Sequence, residues 1–309
     1  MLNVGKLIVI VGPTASGKSD LGVWLAKKLN GEIISADSRQ IYRGLDISTG
    51  KITKKEMQGI KHYMLNIADP KKQYSVAQYQ KAVQKILKDI FRHKKLTPSP
   101  YPPVPILIGG TGHYIDAVAY HQNFPDVPPN KKLRSRLAKL DLKTLFQKLK
   151  QLDPGRAKTI EQKNKRRLIR ALEVIAQTKK PISPLKQKSP YNILWLGITW
   201  PKQKLHRRIN QRLEKRLQQG MIQEIKKLLT KGVSHKRLQK LGLEPRFISL
   251  YLQKKLTKSE MVAKLKTETH HYARRQMVWF KRNKNIHWIK NKKEAFRIAQ
   301  SFLKNETNL

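Results

Sequence analysis

Two rhythms of apolar and polar positions run along this chain, and each change of rhythm marks an element. Leu7-Ile-Val-Ile-Val11 is an unbroken apolar run too short for a helix, the pattern of a buried strand. It leads straight into Gly12-Pro-Thr-Ala-Ser-Gly-Lys-Ser19, after which Asp20 to Lys28 reads as a helix. Gly31 to Ala36 is a second short strand, ending at Asp37. From Ser75 to His93, Val76, Tyr79, Val83, Ile86, Leu87 and Ile90 recur at helical spacing. The segment Thr97 to Pro105 holds five prolines in nine residues and can be neither helix nor inner strand. Pro105 to Ile108 is then a third strand, opening onto Gly109-Gly110-Thr111-Gly112. Strands alternating with helices in this way predict a parallel α/β sheet.

From about Asp126 the strand rhythm stops. Residues 131 to 180 place leucine and isoleucine at helical spacing and hold 17 Lys and Arg against four acids, which predicts a basic, all-helical insertion. Pro181 to Pro190 is its proline and lysine linker, and Ile193 to Ile198 reads as a buried strand returning to the sheet. The remainder reads as helical: Gln203 to Gln219 carries Arg207, Arg208, Arg212, Lys215 and Arg216, and Ser259 to Phe280 continues the pattern. The expected architecture is an α/β core of residues 1–125 and 191–309 interrupted by a helical domain at 126–190. No internal repeat is visible.

Charge changes the picture next. The chain has 66 Lys and Arg against 20 Asp and Glu, a net +46. Such an excess repels itself in a compact state and is most simply understood if a polyanion sits on the protein, so that its cations displace counterions from phosphates. Nucleic acid is the first candidate, an anionic membrane surface the second, and a generally basic composition without specific meaning the third. Cysteine is absent, which excludes disulfides, thiolate zinc sites and thiol nucleophiles. The apolar run at Leu7 is too short for a signal segment and nothing approaches a membrane span, so a cytoplasmic protein without a membrane partner is expected.

The chemistry begins at the glycine loop. Gly12, Pro13, Thr14, Ala15, Ser16, Gly17, Lys18 and Ser19 form a phosphate cradle between a strand and a helix. Gly12 and Gly17 let the backbone curl so that successive N–H groups point inward, Lys18 sets a charge on the terminal phosphates, and the Ser19 hydroxyl can hold Mg²⁺. Such a loop fits kinases, ATPases and GTPases alike. An ATP hydrolase usually carries an aspartate at the end of a neighbouring apolar strand, whereas the strand at 105 to 108 ends in glycine. The acid at the tip of a predicted strand near the loop is Asp37, which can serve as a general base, as a metal ligand through water, or as a turn cap for the Ser38 segment.

Five separated blocks then resemble one family. Gly12-Pro-Thr-Ala-Ser-Gly-Lys-Ser19, Ile33-Ile-Ser-Ala-Asp-Ser-Arg-Gln-Ile-Tyr42, Gly109-Gly-Thr-Gly112 with Tyr114, Arg170-Ala-Leu-Glu-Val174, and Arg274-Arg-Gln276 with Trp279-Phe280 are similar to the bacterial tRNA dimethylallyltransferases, in order from about residue 5 to 290. The resemblance implies a P-loop NTPase-like core with an inserted helical tRNA-binding domain. It implies transfer of a dimethylallyl group from dimethylallyl diphosphate to N6 of the adenosine next to the anticodon, with Mg²⁺ as cofactor and diphosphate as leaving group. It gives Asp37 the role of base, sets Arg212 near the diphosphate, and turns Thr14 and Thr111 toward the substrates. It places Asp37, Ser38, Arg39, Gln40, Thr111, Arg134, Arg166, Arg167, Arg170, Gln239, Gly242, Arg274, Arg275 and Gln276 on the tRNA anticodon stem-loop. The target base would be flipped out of its stack, and a monomer is expected.

Several positions depart from the family pattern. The frequent Gly-Tyr before a basic residue is here Gly242-Leu243-Glu244, so the stacking that tyrosine would give is missing. Arg216 stands where a methionine is usual, and His113 where a leucine is common. His113, His270 and His271 have no metal spacing with acids and read as packing or RNA-facing residues. Two other classes stay open at this point: a small-molecule or nucleoside kinase, which shares the loop but gives no reason for +46, and a non-catalytic RNA-binding module, which leaves Lys18 and Asp37 idle.

Overall fold

The structure, a computed structural model, describes residues 5–92, 102–125, 127–182 and 188–304. Part of the expected proline loop, half of the expected linker and the expected boundary residue Asp126 lie outside the described residues. In chain order the first elements are β1 (Lys6–Val11), α1 (Lys18–Leu29), β2 (Gly31–Ser35), α2 (Lys54–Met57), β3 (His62–Tyr63), α3 (Val76–Arg92), β4 (Val104–Gly109) and α4 (Gly112–Ala119). A helical stretch follows, α5 (Lys131–Ala138), α6 (Leu142–Leu152), α7 (Pro154–Thr159) and α8 (Lys165–Thr178). The chain ends with β5 (Asn192–Gly197), α9 (Lys202–Gln218), α10 (Met221–Thr230), α11 (His235–Leu238), α12 (Leu243–Leu252), α13 (Lys258–Phe280), β6 (Ile286–Trp288) and α14 (Lys292–Lys304).

All six strands run parallel in the order β3-β2-β4-β1-β5-β6. The unbroken apolar run of β1 has a simple cause. Leu7, Val9 and Val11 pack with Tyr79, Val83, Leu87 and Ile90 of α3 and with α4, while Ile8 and Ile10 pack with α1 and with Ala295 and Ala299 of α14. A central parallel strand covered on both faces has no side that can be polar. Helix α3 opens with a reciprocal cap, Gln78 N–H donating to Ser75 Oγ and Ser75 N–H to Gln78 Oε1. A third core joins Ile41, Tyr42 and Leu45, just past Asp37, to Leu213 of α9, Ile225 of α10, Phe247 of α12 and Leu265 of α13. The helices of the second half are thereby fixed around the segment that follows β2.

Two strands were not in the expected set. β3 and β6 span two and three residues, too few for any alternation to register, and β6 falls inside the stretch read as wholly helical. The expectation for 281–291 is corrected accordingly.

The chain divides into two compact units, Met1–Tyr120 with Ser189–Leu309, and His121–Lys188. The second is built from α5 to α8 around Leu145, Leu149, Leu168 and Leu172. Each of its helices starts on Asn130, Asp141, Asp153 or Asn164, whose side-chain oxygen accepts an N–H three residues on. No helix among the described residues is long and apolar enough to cross a membrane.

Candidate active site

The parallel sheet sends the ends of β1, β2 and β4 to one edge, and the loops leaving them meet there. At Gly12 (φ 151°) the backbone enters a region that side chains rarely adopt, and a Cβ would come within 2.5 Å of the Ile198 carbonyl, so glycine is required. The loop turns through left-handed backbone again at Ala15 and Gly17. Its carbonyls are held from outside: Lys18 Nζ donates to Pro13 O (2.6 Å), Arg208 Nε to Ala15 O (2.8 Å) and Trp200 Nε1 to Ser16 O (2.9 Å). The N–H groups of Ala15, Gly17, Lys18 and Ser19 take no partner among the described residues. Four free amides at the start of α1, with Lys18 beside them, make a ready anion site. Burial pulls the Lys18 ammonium down to about 7, with Arg212 pushing the same way and Asp37 opposing. An arriving anion reverses that bias.

Asp37 leaves β2 two strands away from β1, with β4 between them. Ala36 N–H donates to Ile108 O and Thr111 N–H to Ala36 O, which locks the β2 and β4 exits together. Asp37 Oδ1 accepts the Arg39 N–H at 2.8 Å, so the turn-cap role is realised, yet Oδ2 takes no partner among the described residues. One oxygen fixes the carboxylate and the other is left to act. Thr111 Oγ1 accepts the Ser38 N–H at 3.1 Å and thereby orients the same turn. Burial pushes the Tyr272 phenol above its ordinary range, and the Asp37 carboxylate adds to the shift. Tyr272, on α13, belongs to this corner.

Three arginines on α9 at spacings of four form a ladder across these loops. Arg208 holds the cradle; Arg212 donates to Thr14 Oγ1 (3.4 Å) and Gly50 O (3.1 Å); Arg216 donates to Ser48 O (2.7 Å) and Glu244 Oε1 (2.9 Å). Burial and the neighbouring Arg216 lower Arg212 to about 10, which leaves it charged at neutral pH. The spacing of four was legible; its targets were not. Gln40 accepts from Ser35 Oγ (3.3 Å) and donates to Gly50 O (3.3 Å), bracing the same loop from below.

Several residues expected on the RNA also make bonds inside the protein. Gln276 is buried; its Oε1 accepts the Thr14 N–H and its Nε2 donates to Gly110 O, both at 2.8 Å, tying the cradle to the β4 loop. A Cβ at Gly110 would lie 2.2 Å from that amide, so a larger residue there would displace the Gln276 side chain. Within the insertion, Glu173 is fully buried and accepts from Arg134 Nε (2.8 Å) and Nη2 (2.7 Å), Arg170 Nη1 (2.6 Å) and Asn130 N–H (2.7 Å). Burial alone would raise this carboxyl, but the two arginines and the amide hold it at about 2. Arg134 and Arg170 are therefore partners of Glu173, with side chains that stay 39% and 38% exposed. Arg166 is exposed, Arg167 is exposed and pairs with Glu161 at 3.1 Å, and both belong to the other unit. Ser38 is half-buried and Arg39 exposed, its guanidinium reaching Lys240 O (3.3 Å). Gln239 is half-buried at the end of α11, Gly242 precedes α12, and Arg274 and Arg275 are exposed on α13.

Against known proteins, the IPP transferase family model matches residues 40–283. A tRNA dimethylallyltransferase of Pelotomaculum thermopropionicum is 41% identical, covering 92% of this chain and 90% of its own length. Its counterpart in Anoxybacillus flavithermus is 39% identical with the same coverage. Among solved structures, the full-length tRNA isopentenylpyrophosphate transferase of Bacillus halodurans is 35% identical, covers 97% of both chains and superposes with a TM-score of 0.72.

Proposed function

The chain belongs to the IPP transferase family, and from that premise and the site's geometry we propose that it moves a dimethylallyl group from dimethylallyl diphosphate to N6 of the adenosine next to the anticodon of a tRNA. The observation that carries this reading is the pairing, on one sheet edge, of a four-amide anion cradle with a carboxylate oxygen that has no partner among the described residues.

The cradle amides, Lys18 and Arg212 would bind the diphosphate and stabilise the charge that grows on it as the allylic C–O bond breaks. Binding a polyanion restores the Lys18 proton that burial disfavours. The adenine amine is a weak nucleophile because its lone pair is delocalised into the ring, so its proton must leave as the new N–C bond forms. Asp37 Oδ2 accepts that proton while Oδ1 stays on the Arg39 amide. Thr111 keeps the Asp37–Ser38 turn in place, and the target base must be flipped from its stack to reach it.

No cluster of three or more His, Cys, Asp or Glu among the described residues could cage a metal. Mg²⁺ would instead use the exposed Ser19 hydroxyl, diphosphate oxygens and water, a donor set that suits an ion reluctant to shed its hydration. When bound, it supplies further neutralisation of the leaving group.

Mass spectrometry of nucleosides from tRNA incubated with the protein, dimethylallyl diphosphate and Mg²⁺ tests the reading. N6-dimethylallyladenosine formed without ATP is expected. Phosphate transfer from ATP with no alkylated nucleoside would overturn it in favour of a kinase.

A further inference from the structure

We infer that Arg216 and Glu244 are a positioning pair that sets the start of α12 against the catalytic turn and so governs how the acceptor RNA is presented; this rests on the function proposed above. Arg216 and Glu244 form an ion pair at 2.9 Å, with side chains only 10% and 18% exposed.

Their bonds form a connected path toward Asp37. Arg216 is fixed at one end on Ser48 O, and Ser48 is itself held by Glu224, which accepts both its N–H (2.9 Å) and its hydroxyl (2.6 Å). At the other end Arg216 grips Glu244 in the first turn of α12. Two residues earlier, Gly242 (φ 147°) lies against the Arg39 side chain, where a Cβ would sit 3.7 Å from Arg39 Cδ. Arg39 donates its guanidinium to Lys240 O and its backbone N–H to Asp37 Oδ1. The third rung of the α9 ladder thus reaches the catalytic carboxylate through α12, whereas the first two rungs reach the cradle.

Stability is a poor explanation for the pair. Arg216 Nε is buried without an acceptor among the described residues, and a buried ion pair rarely exceeds a well-packed apolar substitute such as methionine. What it adds is direction: a guanidinium bonded to two fixed acceptors holds α12 at one angle.

The test is a double-mutant cycle on the full-length protein with Arg216→Met, Glu244→Gln and the double variant. Three readouts are kcat/KM for an anticodon stem-loop, fluorescence of 2-aminopurine at the target position of that stem-loop, and diphosphate binding by calorimetry. Each single variant should lose about tenfold in kcat/KM for RNA and shift the 2-aminopurine signal, with diphosphate affinity unchanged, and the double variant should lose about as much as either single because both act through one contact, whereas recovery in the double variant would overturn the inference. Arg216→Lys, charged but with a single donor group, should fall between. Unchanged RNA kinetics and fluorescence in single variants that still bind diphosphate would overturn the inference, as would a lower melting temperature with those two readouts intact. If the wild-type protein alkylates no RNA while the 2-aminopurine signal still follows the cycle, the proposed chemistry fails and the positioning role stands.

Discussion

Asp37 and Lys18 are ordinary residue types put to work by what their neighbours leave undone. Asp37 has one oxygen committed to its own turn and one open, so removing the carboxylate should strike the chemical step rather than binding. In Asp37→Ala, kcat should fall by about 10²- to 10⁴-fold while tRNA affinity, followed by fluorescence anisotropy, changes little. Lys18 gives a pH signature. In the free protein its ammonium is held down to about 7, first by burial. A bound diphosphate favours the charged form and raises that value, so above pH 7 binding must take up a proton and affinity must decline as pH rises. Calorimetry at pH 8 in two buffers of different ionisation enthalpy should register this uptake. Equal heats in both buffers would mean that Lys18 is already charged in the free protein.

At the scale of the element, α8 shows how a basic helix can be held from within. Glu173 draws Arg134 of α5 and Arg170 of its own helix onto a fully buried carboxylate held at about 2. Its folded value lies below the unfolded one of 4.5, so the stability it contributes is complete above the unfolded value and is lost as pH falls from there toward 2. Glu173→Gln should lower the thermal midpoint at neutral pH and abolish its share of that acid dependence, both read by circular dichroism. Both arginines are more than a third exposed and can turn to water, which puts the cost at the low end of the roughly 3–5 kcal/mol expected for breaking a buried pair. For the same reason, neutralising Arg134 and Arg170 to probe RNA binding would damage the insertion itself by stranding Glu173.

For the whole molecule the governing quantity is +46. Of the four insertion arginines expected on the RNA, Arg166 and Arg167 are the two that do not bond Glu173, and they provide the clean probe of an RNA footprint. Changing both to glutamine should preserve the melting curve and diphosphate binding but weaken tRNA binding at moderate salt. The log–log salt slope should become shallower by roughly 0.7 to 0.9 for each RNA phosphate that no longer meets a cation, because one fewer counterion is released there. An unchanged slope in the folded variant would remove these two residues from the RNA footprint.

The sequence by itself determined the elements whose signal is local. An apolar run buried on both faces, a glycine loop between strand and helix, and a basic stretch at helical spacing each announce themselves within a dozen residues, and so the sheet core, the cradle and the insertion were legible. Asp37 was marked out by its place at a strand tip, and the structure adds that one of its oxygens caps the turn that follows. The tertiary structure alone decided how distant side chains pair. Gln276 meets Thr14 across 262 residues of sequence, Arg134 and Arg170 turn inward onto Glu173, and Arg216 finds Glu244. A charged or amide side chain looks the same in the sequence whether it faces solvent, RNA or a buried partner, because its partner is chosen by the packing of other elements. Strands as short as β3 and β6 belong to the same class, since two or three residues become a strand only when a sheet edge is already there to pair with them.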